Sequence, residues 1–329
     1  MRTPKDLIKL VDKDKIFKLT EQDLLQAFTE AELDDFLLSC KVSKSLEEIE
    51  IKQVAINESI ERFLGEALPL NNSVKKLELN DIKNFQEIGP ALKEVIQFNV
   101  SIQELVISNN SEIDQVLTSI TPDLIENTNI KTFTISNNII TDKTTNLILD
   151  IIIGNTSFNV VDLSHQPIKE DLVKEFLNTL GQASNISSIR LSNTQLTANC
   201  FQYLSEALQE NDSLLSIDLS FNNFSGRGII PLITLFKKRH CIKNINLSNC
   251  NLGPYFSSSF AKTLPLNPQL SSINLSNNKL GDKGAIIIAR CTQNITSLDS
   301  VDLRNNDTTE LGEYLIKEVG NEFVLFGQV

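Results

Sequence analysis

The amino-acid sequence predicts an α/β solenoid, a horseshoe with a parallel β-sheet on its concave face and α-helices on its convex face. Three observations carry this. Apolar residues recur every 28 positions from Leu46 to Leu298 with no insertion or deletion; two further apolar rows follow three and five positions later; and an apolar pair with helical spacing follows 18 and 22 positions later. A short alternating segment followed by an i, i+4 stripe is strand, turn, helix, turn. One such unit cannot bury its apolar face alone, so stacking the units makes the core.

The elements follow in order. Residues 1–45 carry no repeat, and Thr20 to Asp23 and Thr29 to Glu32 have the arrangement of capping boxes ahead of apolar runs. They predict a small helical cap over the first unit. Residues 46–325 divide into ten units, and five positions into each stand Ile51, Leu79, Ile107, Ile135, Leu163, Leu191, Leu219, Leu247, Leu275 and Leu303. Three residues on, a turn position holds Asn110, Asn138, Asn222, Asn278 and Asn306, with Thr194 and Cys250 as substitutes. A buried amide there can satisfy turn carbonyls and N–H groups. Val54, Ile82 and Gln166 depart from that row and predict differently shaped turns.

The helical stripe runs through Leu64, Leu92, Ile120 and Ile148 to Phe260, Ile288 and Ile316, and includes Phe176, Leu204 and Leu232. Past it, Asn71, Asn99, Asn127, Asn155, Asn211 and Asn267 recur where a left-handed residue would end a helix. Phe323 to Phe326 falls where an eleventh unit would start and predicts a truncated last strand, with 326–329 as the C-terminal end.

Composition excludes several functions. The 329 residues carry a net charge of −12, which argues against nucleic acid or an anionic membrane as the main partner. No apolar run approaches the roughly 20 residues that span a bilayer, and the charged N-terminus contains no signal-peptide core. The five cysteines include no C-x-x-C pair and read as reduced thiols of a cytoplasmic compartment. With His165 and His240 as the only histidines, no His-rich metal site and no convincing catalytic triad can be assembled. Lys237-Lys238-Arg239-His240 reads as cations at a helix C-terminus.

The pattern L-x-x-L-x-L-x-x-N-x-L, as in Leu214 to Phe224 and Leu270 to Leu280, resembles the leucine-rich repeat superfamily, and its 28-residue period the ribonuclease-inhibitor-like subclass. The resemblance covers about residues 46 to 325. It implies a non-enzymatic scaffold that holds a protein partner in its concave face, with no cofactor and no metal. Ran GTPase-activating proteins share the repeat, which makes an enzyme-regulating role the alternative. The Asn-, Ile-, Lys- and Ser-rich composition also resembles leucine-rich-repeat effectors that intracellular bacteria inject into host cells, which implies a host protein as partner.

Candidate binding residues follow from strand alternation, which turns positions two, four and six after the first leucine out of the sheet. Position six is mostly serine with no adjacent base, so it is read as structural packing. Position four places Glu50, Glu78, Asp162, Arg190, Asp218 and Asp302 on the concave face, with Arg304 two residues after the last. Carboxylates here would favour a partner with a basic surface. Position seven is usually Asn but becomes His165 and Phe221; His165 reads as a hydrogen-bonded loop residue, and Phe221 as an aromatic anchor at the rim.

Overall fold

The computed structural model describes residues 3–20, 23, 28–168, 174–175, 178–179, 183, 185–197, 202–203, 206, 211, 213–224, 242–293, 295–319 and 322–327. Cys200, Cys241, the 237–240 basic run and the helical stripe residues Phe176, Leu204 and Leu232 lie outside them. The chain forms two compact units, Met1–Asp162 and Leu163–Val329.

In the first unit, α1 (Pro4–Lys13), β1 (Ile16–Thr20) and α2 (Glu30–Val42) precede the repeats. The expected box at Thr29 forms, with Thr29 and Glu32 exchanging side-chain and backbone hydrogen bonds at the start of α2. A strand in this region was not expected. β1 pairs in parallel with β2 (Glu48–Lys52), buries Phe17 and Leu19, and sets the Phe17 ring against Phe36 of α2 in a tilted contact, centroids 5.9 Å apart. β3 (Lys76–Asn80), β4 (Glu104–Ser108), β5 (Thr132–Ser136) and β6 (Val160–Asp162) continue the sheet in parallel register. Between them run α3 (Glu58–Arg62), continued by a π-helical and a 3-10 turn, α4 (Gly89–Phe98), α5 (Ile113–Glu126) and α6 (Asp142–Gly154).

In the second unit, β7 (Ser188–Arg190), β8 (Ser216–Asp218), β9 (Asn244–Asn246), β10 (Ser272–Asn274), β11 (Ser300–Asp302) and β12 (Val324–Leu325) are likewise parallel and in register. Strand β12 is the truncated final strand that the sequence predicts. The helices described here are α7 (Pro254–Ala261), α8 (Gly281–Thr292) and α9 (Glu310–Val319). Both units are open, all-parallel α/β solenoids of the leucine-rich-repeat type.

The cores are the repeat rows. Ile51, Leu79, Ile107 and Ile135 are buried in the first unit and Leu191, Leu219, Leu247, Leu275 and Leu303 in the second. The described helical stripe, from Leu64 to Ile148 and from Phe260 to Ile316, is buried as well. The turn asparagines work as expected. Asn278 donates to the carbonyls of Leu247 (2.7 Å), Leu275 (3.0 Å) and Ser276 (3.1 Å), and its Oδ1 accepts from the N–H groups of Cys250 (2.9 Å) and Leu252 (3.3 Å). Cys250 imitates the donor half of this, its thiol facing the carbonyls of Leu219 and Ser248. Val54 and Ile82 are buried instead, and a bridge between Ala55 and Lys83 replaces the amide link.

The asparagines past the helices correct the expectation. Asn71, Asn99, Asn127 and Asn155 have extended backbone, with φ of −76°, −77°, −68° and −86°. Their role is to tie units together. Asn99 donates to the carbonyls of Leu68 (2.7 Å) and Asn71 (2.8 Å) in the unit before, and its Oδ1 accepts from the N–H groups of Ser101 and Ile102. Asn155 repeats this on Leu124, Asn127, Ser157 and Phe158. A left-handed residue stands instead at position seven after the first leucine, from Gln53 (φ 55°) through Asn109 (φ 58°) to Asn305 (φ 55°), and some units add a second one two or three residues on, such as Glu112, Gln195, Asn251 and Lys279.

Replacing Asn278 by Ala leaves several buried backbone groups unpaired at about 1–3 kcal/mol each, so urea denaturation is expected to show a loss of about 2–5 kcal/mol. Asn278→Cys, which restores the arrangement found at Cys250, is expected to lose less. Equal losses for the two variants would show that the amide bonds are not what holds this turn.

Candidate functional site

Strand alternation presents two outward sheet faces, one on each unit. On the first, Glu50 and Glu78 are register neighbours. Two carboxylates directly opposite one another repel, and each is met by a lysine. Lys18 lies 2.5 Å from Glu50, and Lys76 lies 3.2 Å from Glu78 and 3.8 Å from Glu104. The hydrogen bond to Glu50 raises the Lys18 pKa. Burial pushes the Lys76 ammonium down, but Glu78, Glu104 and Glu48 outweigh it and leave the pKa raised. Toward β4 and β5 the face narrows to small residues: Val106, Ser108 and Thr134 are buried between their neighbours.

Asp162 closes the first unit as the register partner of Thr134. On the second unit, Arg190 pairs with Asp218, and Asp218 with Asn246. Of the predicted Asp-Arg-Asp ladder, the Arg190–Asp218 step is thus formed within one unit, while Asp162 belongs to the other.

The second face is built differently from the first. Asp218 Oδ1 accepts from the Ser220 N–H (2.9 Å) and hydroxyl (2.7 Å), and its Oδ2 accepts from the Asn246 amide (3.0 Å). Asn246 accepts from the Ser248 N–H, Asn274 from the Ser276 N–H, and Asp302 from the Arg304 N–H. Each is a short polar side chain turning back on its own backbone two residues on, which competes with the sheet ladder. The described strands of this unit from β7 to β11 accordingly have three residues, whereas β2 to β5, with Glu, Val or Thr at position four, have five. Arg190 cannot accept, and there the Ser192 N–H turns to the Ser164 hydroxyl (3.2 Å). The serine row is structural, as expected: Ser164, Ser192, Ser220, Ser248 and Ser276 are all buried.

Asp302 and Arg304 are engaged with each other. Arg304 Nε and Nη2 donate to the two Asp302 carboxylate oxygens at 3.0 and 2.6 Å. Burial of Asp302 opposes its ionisation, but the Arg304 side-chain and backbone hydrogen bonds prevail and hold the carboxyl below the ordinary value.

Phe221 stands at the rim with 56% of its surface exposed and a left-handed backbone, φ 57°. Its backbone N–H donates to Ser248 and its neighbour Ser220 accepts from Asn193, so the ring lies between the loops of Asn193 and Asn249. His165 is at the same position, φ 63°, with Nδ1 3.4 Å from the Asn193 amide, which makes it the loop residue expected. The sequence reading passed over Tyr255, 93% exposed at the start of α7. Its signal was present, since no apolar row of the repeat includes that position.

Cys40 and Cys250 are buried free thiols; burial raises both pKa values, that of Cys250 to about 12. Among the described residues, no group of three or more His, Cys, Asp or Glu could hold a metal ion, and no helix is long and apolar enough to cross a membrane.

No protein-family model and no curated protein matches the chain. Among solved structures it is similar to one described as leiomodin-1 actin-binding site 2, at 16% identity and a TM-score of 0.37, over 41% of this chain and 79% of that one.

Two outcomes test this geometry. A carboxyl whose folded pKa is lowered stabilises the fold above its unfolded pKa of about 3.9 and ceases to do so as pH falls through the folded value. The stability difference between the wild type and Asp302→Asn is therefore expected to be full at neutral pH and to shrink below about pH 4, followed by melting temperature against pH. Phe221→Asn places a residue tolerant of positive φ at a strained position and is expected to raise stability by about 1 kcal/mol. A loss would show that the ring packs usefully where it is.

Proposed function

We propose that the chain is a non-enzymatic protein-interaction scaffold of the ribonuclease-inhibitor-like subclass, which presents its outward sheet faces and adjoining loops to a partner protein. One observation carries the reading: the inward rows are uniformly apolar, while position four changes chemistry from strand to strand, through Glu50, Glu78, Val106, Thr134, Arg190, Asp218 and Asn246. Variation confined to the outward face is what recognition would use, since a leucine-rich scaffold by itself leaves function to its surface.

The partner proposed for the first unit bears basic groups, because Glu48, Glu50, Glu78 and Glu104 outnumber Lys18, Lys52 and Lys76 on its face. The second face offers Arg190 and Arg304 against Asp218 and Asp302 and favours a neutral polar contact. Free thiols at Cys40, Cys250 and Cys291 support a reducing cytoplasm as the working compartment. Delivery into a host cell by a route that needs no signal peptide rests on composition alone.

Immobilised full-length chain is expected to capture a specific protein from a relevant lysate. The triple variant Glu50→Lys, Glu78→Lys, Asp218→Lys should lose that protein while keeping the wild-type circular dichroism. Undiminished capture would move the interface off the sheet. Acceleration of GTP hydrolysis by a captured small GTPase would instead favour the enzyme-regulating role shared with Ran GTPase-activating proteins.

A further inference from the structure

We propose that two copies of the chain pair through the flank of the first unit on which its helices end, the row Lys13, Val42, Leu70, Phe98 and Glu126 of one copy lying in reverse order on the row of the other. Val42 is the last residue of α2, Leu70 of the 3-10 turn after α3, and Phe98 of α4. They stand 28 residues apart and are 60%, 51% and 58% exposed. The repeat itself does not require apolar residues there. At the same position six of the eight later units hold a polar residue, beginning with Glu126 and ending with Glu322. Val100 is exposed two positions past Phe98, where the neighbouring units hold Asn72 and Thr128, and Leu38 is exposed one turn before Val42. Exposed apolar residues scattered singly are ordinary, but one in each of three consecutive units, with two more beside them, make a strip of the kind that marks an interaction surface.

The buried amides hold this strip in place. Asn71 donates to the carbonyls of Cys40 (2.8 Å) and Ser43 (3.1 Å), and Asn99 to those of Leu68 and Asn71, so the three ends are fixed side by side at the usual helix separation of about 8–10 Å. Helix α1 is docked at the same end: Ser39 donates to Asp12 at 3.1 Å and the Ser43 hydroxyl to the Val11 carbonyl at 2.9 Å, which brings the last residue of α1, Lys13, beside Val42. Past Phe98 comes Glu126, the last residue of α5. Both Lys13 and Glu126 are exposed. The row therefore runs from a cation through three apolar residues to a carboxylate, and it is complementary to its own reverse, which is what a two-fold interface requires. With the axis at Leu70, Lys13 meets Glu126 of the other copy, Val42 meets Phe98 and Leu70 meets its own counterpart. The surrounding charges keep this polarity. Lys41 and Lys44 join Lys13 against Asp12 and Asp14. At the other end Glu94 joins Glu126, Lys93 lies 3.8 Å from Asp123, and the Lys131 ammonium is turned onto the Thr128 carbonyl at 2.8 Å. Glu66, nearest the axis, is held by Arg62 at 3.0 Å. An anionic membrane would meet the carboxylate end with like charge, whereas a reversed copy satisfies both ends and covers the apolar centre.

Sedimentation equilibrium on the full chain, from about 1 to about 200 μM, is expected to show a reversible equilibrium between monomer and dimer. Phe98→Glu, which repeats at this helix end the residue found at 126, is expected to raise the dimer dissociation constant by about tenfold or more, or about 1.4 kcal/mol. Leu70→Gln is expected to do the same. The melting temperature at about 1 μM, where dissociation removes any contribution from pairing, should change little in either variant. Charge reads the direction of the pairing. Lys13→Glu and Glu126→Lys are each expected to weaken the dimer by about threefold or more, since each contact occurs twice. Combined in one chain they should restore it to within about twofold of the wild type. A chain that stays monomeric throughout this range would overturn the proposal, as would a dimer that Phe98→Glu and Leu70→Gln leave intact. Weakening by both charge variants without recovery in their combination would overturn the reversed alignment and the proposal with it. None of these residues is in the triple sheet-face variant, so the two readings fail independently.

Discussion

The fold depends on buried asparagine amides that pair one repeat with the next. Each unit ends its strand and its helix in loops whose carbonyls and N–H groups have no partner within the unit, and such groups are costly to bury unpaired. Asn222, Asn278 and Asn306 close the strand ends by reaching carbonyls 31 residues earlier, and Asn71, Asn99 and Asn155 close the helix ends across 28 and 31 residues. An insertion of one residue would carry the amide away from both of its partners while leaving the leucine rows free to slide. Hydrophobic stacking alone tolerates such shifts; directional bonds do not. This accounts for ten units without an insertion.

The same reasoning limits where recognition can reside. Strand rows, helix stripes and both amide rows are committed to the core or to the bonds between units, which leaves outward positions two and four, the rim and the exposed helix sides. Even there the fold takes its share. In the second unit the short side chains of Asp218, Asn246, Asn274 and Asp302 are turned back onto their own backbone, so they meet a partner as oriented groups. The longer Glu50 and Glu78 of the first unit reach lysines and can exchange them for a partner's cations.

How much of this was legible in the sequence follows from what periodicity can encode. The strand rows, the described helical stripe, the amide row at Asn278 and the final strand at Val324 all repeat in phase, and phase is visible without coordinates. Strand β1 was missed because it pairs with β2 at a spacing of 32 residues, outside the 28-residue phase; the alternation of Phe17 and Leu19 with exposed neighbours was its remaining signal. The three asparagine rows were harder. One is buried at the turn, one buried after the helix and one largely exposed in left-handed backbone, yet all are written with the same letter. A helix often ends on a left-handed residue, whereas in the helix-end row here a buried amide caps the preceding unit instead.

Phe221 shows what a regular scaffold makes visible. In an irregular loop, an exposed aromatic with positive φ would have no standard against which to be judged. Here the equivalent positions of the other units provide that standard: Asn109, Asn137, Asn193, Asn249, Asn277 and Asn305 share its backbone within a few degrees, from 52° to 58° against 57°. The backbone is therefore set by the repeat and not by the ring, and the phenylalanine is an added cost that the fold could avoid with one substitution. His165 departs from the same row but turns its nitrogen onto the Asn193 amide and so joins the polar rim. Phe221 can join it only by being covered. A repeat protein thus separates structural from functional residues more sharply than the recurrence of its leucines alone suggests, because each position carries its own internal control.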